Sequence, residues 1–360
     1  MKRKNKGWKK LLFLIPAAIG ACILLVLPHF PDLAEYGFSR GVFKIFSYAI
    51  GTITSIIPFS LSEILLYVSI LAVIVIFVLL ILKKLKWRKV AQVFGWIFSC
   101  LFLLYVVMHG ANFYRYDLAR LLHLPKVESD SQLLYDVCAE MAQKASELRV
   151  NLKEDEQGYF CLENGISEVL QNADKLYENL YETYPFLSDP VKRVKGVWIS
   201  PLWSYTGISG IYIPFFAEAN INTDAPESSL YLSAAHELAH TKGFAKEDEC
   251  NFLAYLACVN SGNEQAMYSA YLFAYRYLSA ELYTQNVELY QQTTSFLSDG
   301  VRRDLIQENE YWAAHSGVVQ TVSNQVNDAF IKSQGQAEGT QSYNQVVRLI
   351  LSYEKCQKMP

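Results

Sequence analysis

Cysteine is sparse in this 360-residue chain, and its placement gives no disulfide framework. Cys22 and Cys100 fall in long apolar runs, which leaves Cys138, Cys161, Cys250, Cys258 and Cys356, an odd set without close spacing. Cys250 and Cys258 share one short helical stretch, cannot pair at that spacing, and read as small core residues. Basic residues are also scarce over most of the length. Beyond residue 90 the chain holds 19 Lys+Arg against 32 Asp+Glu. A body that acidic lacks the basic face that nucleic-acid binding requires. Absent too are a phosphate-binding glycine loop, a Ser/His/Asp arrangement, an internal repeat and a low-complexity segment.

Charge of either sign is what the first 110 residues most lack. Lys2 to Lys10 is a basic run, and Leu11 to Leu27 after it is uncharged and of near-spanning length. A signal peptide shares those features, but Leu27-Pro28-His29-Phe30-Pro31 follows in place of a cleavage site and polar start, so a retained anchor is expected. Ser60 to Leu82 carries one charge, Glu63, and reads as a second span. The basic loop Lys83–Lys89 leads into a third, Val90 to Met108, with Trp87, Trp96 and Tyr105 as interface aromatics. The expected membrane domain, 1–112, therefore has spans at about 11–29, 60–82 and 90–108. Between the first two, Phe38, Val42, Phe43, Phe46, Ala49 and Ile50 recur at helical spacing with Arg40 and Lys44 among them, which predicts a helix over about 36–52 lying along the membrane surface. His29, His109 and His123 adjoin apolar segments and read as interfacial or capping residues. Both basic clusters fall on one side of a three-span chain, so the N-terminus is expected in the cytoplasm and the body, 113–360, outside it.

The body is organised around His236-Glu237-Leu-Ala-His240. On a helix, two histidines four residues apart stand one above the other on the same face, so both imidazoles can meet one metal ion. A carboxylate between them, Glu237, can take a proton from water whose pKa the ion lowers from about 16 towards ~7. The chemistry implied is zinc-assisted hydrolysis. The helix is otherwise apolar, and burying unpaired His and Glu in it would be costly. Gly243 ends it. A second helix begins at once, with Glu247, Asp248 and Glu249 in its first turn, and can return a carboxylate to the metal.

Elsewhere the body reads as mainly helical. Period-3.6 patterns predict helices over 132–148, 166–181, 264–293, 295–314, 318–333 and 342–353, with a turn at Gly335/Gly339. The segments 194–200 and 208–216 read as a small β element of two strands.

The string His-Glu-Leu-Ala-His, followed by Gly-Phe-Ala-x-Glu-Asp-Glu-x-Asn-Phe-Leu-Ala-Tyr-Leu and preceded by Gly-Ile-Tyr-x-Pro-Phe and Glu-Ala-Asn-x-Asn, resembles a family of bacterial membrane proteins of unknown function that carries an HExxH site. The resemblance runs from the membrane segments to the Ser342-Tyr343 helix. It implies a zincin-like fold, a zinc metallopeptidase activity, and residence in a bacterial cell membrane. In gluzincin peptidases a Glu on the following helix binds zinc, and an Asp or Asn four residues on supports the site; Glu247 and Asn251 match that pattern. The linker is shorter than most gluzincins have. Glu249 competes for the same role, pointing about 200° away on the helix. The short-linker metzincin pattern is excluded, since Lys246 stands where its third His would be. In zincins a strand beside the motif helix pairs with extended substrate, so 208–216, with Tyr212, is either a cleft strand or an ordinary core strand. Glu218, Asn220 and Asn222 either bind a substrate terminus or cap the loop. His315 is either an oxyanion-stabilising group or part of an aromatic cluster.

The fold class expected is thus mainly α with a small β element, three transmembrane helices preceding a zincin-like domain. Zn2+ would be held by His236, His240 and Glu247, and Glu237 would activate water against a peptide or protein substrate. A non-catalytic membrane protein with a structural or sensory metal site is the alternative. The partners expected are that substrate and the lipid bilayer.

Overall fold

The computed structural model describes residues 11–334 and 343–358; the basic run at 2–10 and the turn at 335–339 lie outside them. The chain opens with α1 (Ile15–Val26), then a π-helical run, Leu33–Val42, that passes without a break into α2 (Phe43–Ile56). Two long apolar helices follow, α3 (Leu61–Ile81) and α4 (Trp87–Met108). Among the described residues three stretches are long and apolar enough to cross a membrane: Leu12–His29, Leu61–Ile81 and Trp87–Tyr114. Each agrees with the sequence expectation, the third starting and ending a few residues further out. α1 and α4 run side by side in the same direction, with Gly95 against Phe13, Gly20 against Phe102 and Val106, and Gly110 near Leu24. α3 precedes α4 in the chain and is joined to it by the short turn before Trp87.

The helix expected over 36–52 is longer and faces differently. Its residues Glu35, Ser39, Phe43, Ser47, Gly51 and Thr54 are buried against the rest of the chain, while Ile45, Tyr48, Ile53 and Ile56 are exposed. Its polar stripe thus turns inward and its apolar stripe outward. Buried Glu35 makes this arrangement possible, since its carboxylate accepts from Arg115 Nε at 3.1 Å and Nη2 at 3.0 Å.

The body continues through α5 (Leu118–Leu121), α6 (Ser131–Arg149) and α7 (Ile166–Asn172), the last tightening into a 3-10 helix to Leu180. Then come β1 (Lys195–Gly196), α8 (Ser200–Ser204), β2 (Gly210–Ile213) and β3 (Glu218–Ile221). The remaining helices are α9 (Leu230–Thr241), α10 (Glu247–Asn260), α11 (Glu264–Gln285), α12 (Val287–Thr293), α13 (Asp299–Ala314), α14 (Val318–Ser333) and α15 (Tyr343–Gln357). The expected helix 264–293 is two, because the Asn286 side chain accepts from Leu289 N–H and caps a fresh start. Capping by Asp130, Asn263 and Ser298 likewise fixes where α6, α11 and α13 begin. α11 packs along α6, α10 lies against α9 and α11, and α15 closes over α10 and α11 around one core.

The two expected strands become three. A turn at Trp198–Ile199, whose N–H groups donate to Glu63, ends the first early, and Pro214 after β2 ends the second. Ala217, in a left-handed turn at φ 48°, then sends the chain back as β3, which takes the centre of the sheet. β3 runs parallel to β1, antiparallel to β2, and lies against α9. β2 is left at the edge.

Candidate metal centre

α9 places the histidines as the spacing requires, with ring centroids 5.0 Å apart. The turn after it decides the third group. Gly243 at φ 90° reverses the chain, its position closely covered by the Phe43 ring and its carbonyl accepting from Arg115 Nη1 at 2.7 Å. α10 therefore starts at Glu247 close enough to face α9. Glu247 Oε2 lies 3.1 Å from His236 Nε2, and Oε1 lies 3.8 Å from His240 Nε2. One ligand atom from each of the three lies within 4.8 Å of the others, a cluster able to hold one ion.

The far ring nitrogens are tied down. His240 Nδ1 donates to the Phe244 carbonyl at 2.9 Å, and His236 Nδ1 meets Asn251 Oδ1 at 2.9 Å. Both Nε2 atoms are thereby turned toward Glu247, the orientation a metal-ligating histidine needs. Asn251→Ala is expected to weaken metal affinity about 10- to 100-fold by freeing the His236 ring, measured by competition with a chromophoric chelator. An affinity within twofold of wild type would remove Asn251 from the site.

Glu237 points into the same space. It is buried, and its Oε2 has no hydrogen-bond partner among the described residues. Its Oε1 and Cγ press on Gly210 of β2, where a Cβ would stand 2.7 Å from Glu237 Cγ. The strand can pass this close only because it carries glycine there. Tyr212 stacks on His240 with centroids 5.8 Å apart, and its buried hydroxyl also lacks a partner. An orphaned buried carboxylate oxygen and phenol beside two aligned imidazoles fit a centre that takes up an ion and a polar ligand.

Charge follows from this packing. Burial pushes the Glu237 carboxyl up to about 8, against the opposing pull of His236. Burial lowers His236, yet its contact with the Glu247 carboxylate prevails and raises it to about 9. The same contact, against burial, draws Glu247 down to about 2. His240 is lowered by burial to about 4.

Five expected site residues lie elsewhere. Glu249 accepts from Leu118 N–H at 2.8 Å and pairs with Lys246 at 3.5 Å, on the far face of α10. Glu218 is buried in an ion pair with Lys195 and accepts from Leu61 N–H at 3.1 Å and Ser62 N–H at 3.0 Å, fastening the start of α3. His315 packs edge-on against Tyr205 and tilted over Tyr311, with its Nδ1 on the carbonyl of Tyr311. Asn220 and Asn222 are buried in the sheet and its following turn.

The family model whose description reads "Protein of unknown function (DUF3810)" matches residues 38–351, from the run before α2 to α15. The chain belongs to the DUF3810 family. No curated protein and no solved structure matches it. The matched region includes every residue of the cluster and two more members of this DUF3810 site that the sequence did not disclose. His109 caps the end of α4, as its place beside an apolar segment suggested, and also adjoins the site, its ring centroid 5.8 Å from both His240 and Tyr212. Gly210 is the other, and a glycine within a strand pattern was its one signal.

Proposed function

We propose that this chain is a membrane-anchored zinc hydrolase acting on peptide bonds, with a zincin-like site. The observation that carries the reading is the convergence of two oriented Nε2 atoms and the Glu247 carboxylate beside the unpartnered Oε2 of Glu237. A bound zinc ion would supply Lewis-acid polarisation of water and of the substrate carbonyl. Glu237 Oε2, kept dry and close to neutral-pH titration, takes a proton from the attacking water and returns it to the leaving amine. The Tyr212 hydroxyl donates to the carbonyl oxygen as it gains charge. β2, paired on one side by β3, offers its other edge to an extended peptide. Metal content supplies the first test: wild-type protein should hold zinc and His236→Ala should lose it, whereas equal content in both would end the proposal.

Zinc uptake should also release protons. His236 is protonated at pH 7, being raised to about 9, and a metal must displace that proton from Nε2. Between pH 7 and 9 the apparent affinity should therefore rise by about tenfold per pH unit. Calorimetry in two buffers of different ionisation heat should give close to one proton released at pH 7; none released would contradict the assignment of His236.

The bilayer is crossed three times in this reading. The parallel course of α1 and α4 supports it, and places the basic loop 83–89 at the end of the helices away from the body. By the positive-inside tendency that end is cytoplasmic and the body is extracytoplasmic. A reporter active only outside the cytoplasm should work when fused after Asn112. Activity of a cytoplasm-only reporter at that point would invert the topology.

A further inference from the structure

α14 leaves an apolar stripe uncovered along one face. Val318, Val319, Val322 and Val326 recur along one face and are each more than half exposed, whereas Gln320 and Ser323 face inward and are half-buried. An amphipathic surface helix ordinarily turns its apolar stripe to the core. A second apolar patch lies near it, where Trp198 and Leu202 are 70% and 64% exposed.

Both patches are held at the level of the helix ends nearest the body. Glu63, in the first turn of α3, accepts from Trp198 N–H at 2.9 Å and Ile199 N–H at 3.0 Å. At its far end α14 lays Phe330 edge-on against Tyr105 of α4, centroids 6.3 Å apart. Its near end brings Gln320 against Gly207, in the loop after α8. Tyr105 in turn stands 5.8 Å from His109, which adjoins His240. The metal cluster is therefore two rings away from α14 and sits beside the last turns of a span.

We propose that α14 and the Trp198–Leu202 turn are seated in the headgroup region of the leaflet that the body faces, and that the site acts on peptide segments tethered to that leaflet. Lipid is the occupant because the Trp198–Leu202 turn is bonded to the first turn of α3 and α14 meets Tyr105 near the end of α4, which sets both apolar patches beside the ends of apolar, span-length helices. A helix with valines on one side and Gln, Asn and Thr on the other lies in an interface plane rather than across it. The substrate half rests on the hydrolase reading; the lipid half rests on packing alone. A tethered peptide would meet β2 at a high local concentration without needing a deep pocket.

The test uses full-length protein in phosphatidylcholine/phosphatidylglycerol vesicles, with Cys22, Cys100 and Cys356 changed to Ala. Nitroxides at Val322→Cys and Val326→Cys should be relaxed more by oxygen than by a water-soluble nickel chelate, and one at Asn324→Cys less so. Dominance of the chelate at all three positions would overturn the lipid seat. In parallel, a mixed peptide pool coupled to phosphatidylethanolamine in the vesicles should be cleaved about tenfold or more faster than the same pool free. The V322D/V326D double variant, if it retains zinc and helicity, should lose that advantage and keep the free-peptide rate. Equal wild-type rates for the two pools would overturn the tethered-substrate assignment and leave the hydrolase standing. Cleavage of neither pool by zinc-loaded protein would strike the hydrolase reading and the substrate assignment with it, and the nitroxides would still decide the lipid seat.

Discussion

Glu237→Gln is expected to leave zinc bound and lower peptide hydrolysis by about 10²- to 10⁴-fold, the range of a positioned general base. The substitution keeps size and shape, which matters because Glu237 is wedged against Gly210, where β2 has no room to give. It removes the one property at issue, the capacity of Oε2 to accept a proton inside a buried site. The wild-type carboxyl already lacks a partner there, so the amide replaces one unpaired buried polar group with another and stability should change little. His236, His240 and Glu247 are untouched, and metal content measured on the same sample should match wild type. Turnover unchanged in a zinc-loaded Glu237→Gln sample would leave the cluster as a binding centre without this chemistry.

The second large effect separates two neighbouring carboxylates. Glu247→Ala should cut zinc affinity well beyond the 10- to 100-fold typical of an outer partner, because two imidazoles would be left with water. Glu249→Ala should keep the affinity and lose stability instead. Its carboxylate receives Leu118 N–H and pairs with Lys246, and losing it strands a buried donor at a cost of about 1–3 kcal/mol. Chelator competition and thermal unfolding on both variants make the comparison. A reversed pattern, with affinity lost in Glu249→Ala alone, would mean that α10 turns differently in the protein.

The helices long enough to cross a membrane were legible because an uncharged run of that length has few other uses in a chain. The spacing of His236, His240, Glu247 and Asn251 was legible because helical periodicity brings them together over short separations. What failed was carried by long-range pairing. β3, Glu-Ala-Asn-Ile, has neither alternation nor β-branched enrichment, and is a strand only because β1 and β2 bracket it. Glu218 read as a substrate contact since nothing nearby in sequence explained a carboxylate there. Its partner backbone lies 157 residues earlier, at Leu61. His109 looked interfacial for the same reason: its neighbours in the fold, Tyr212 and His240, are invisible from α4 alone. Local propensity also overstated 194–200, where a turn held by Glu63 intervenes, and 208–216, where Pro214 set the limit.

The turn at Gly243 has a consequence for how the chain acquires its site. Phe43 covers it, Arg115 holds its carbonyl, and Ser47 Oγ meets the Thr241 carbonyl across 194 residues of chain. The angle at which Glu247 meets the histidines is thus set by segments far away in sequence. Closing loops of that length is entropically slow, and such contacts form late in folding. The HExxH helix can form on its own schedule, but a metal-competent geometry has to wait for the first third of the chain to dock. A stalled or truncated product would carry the motif without the Glu247 partner in place, so that the three-residue cluster is complete only with the finished assembly.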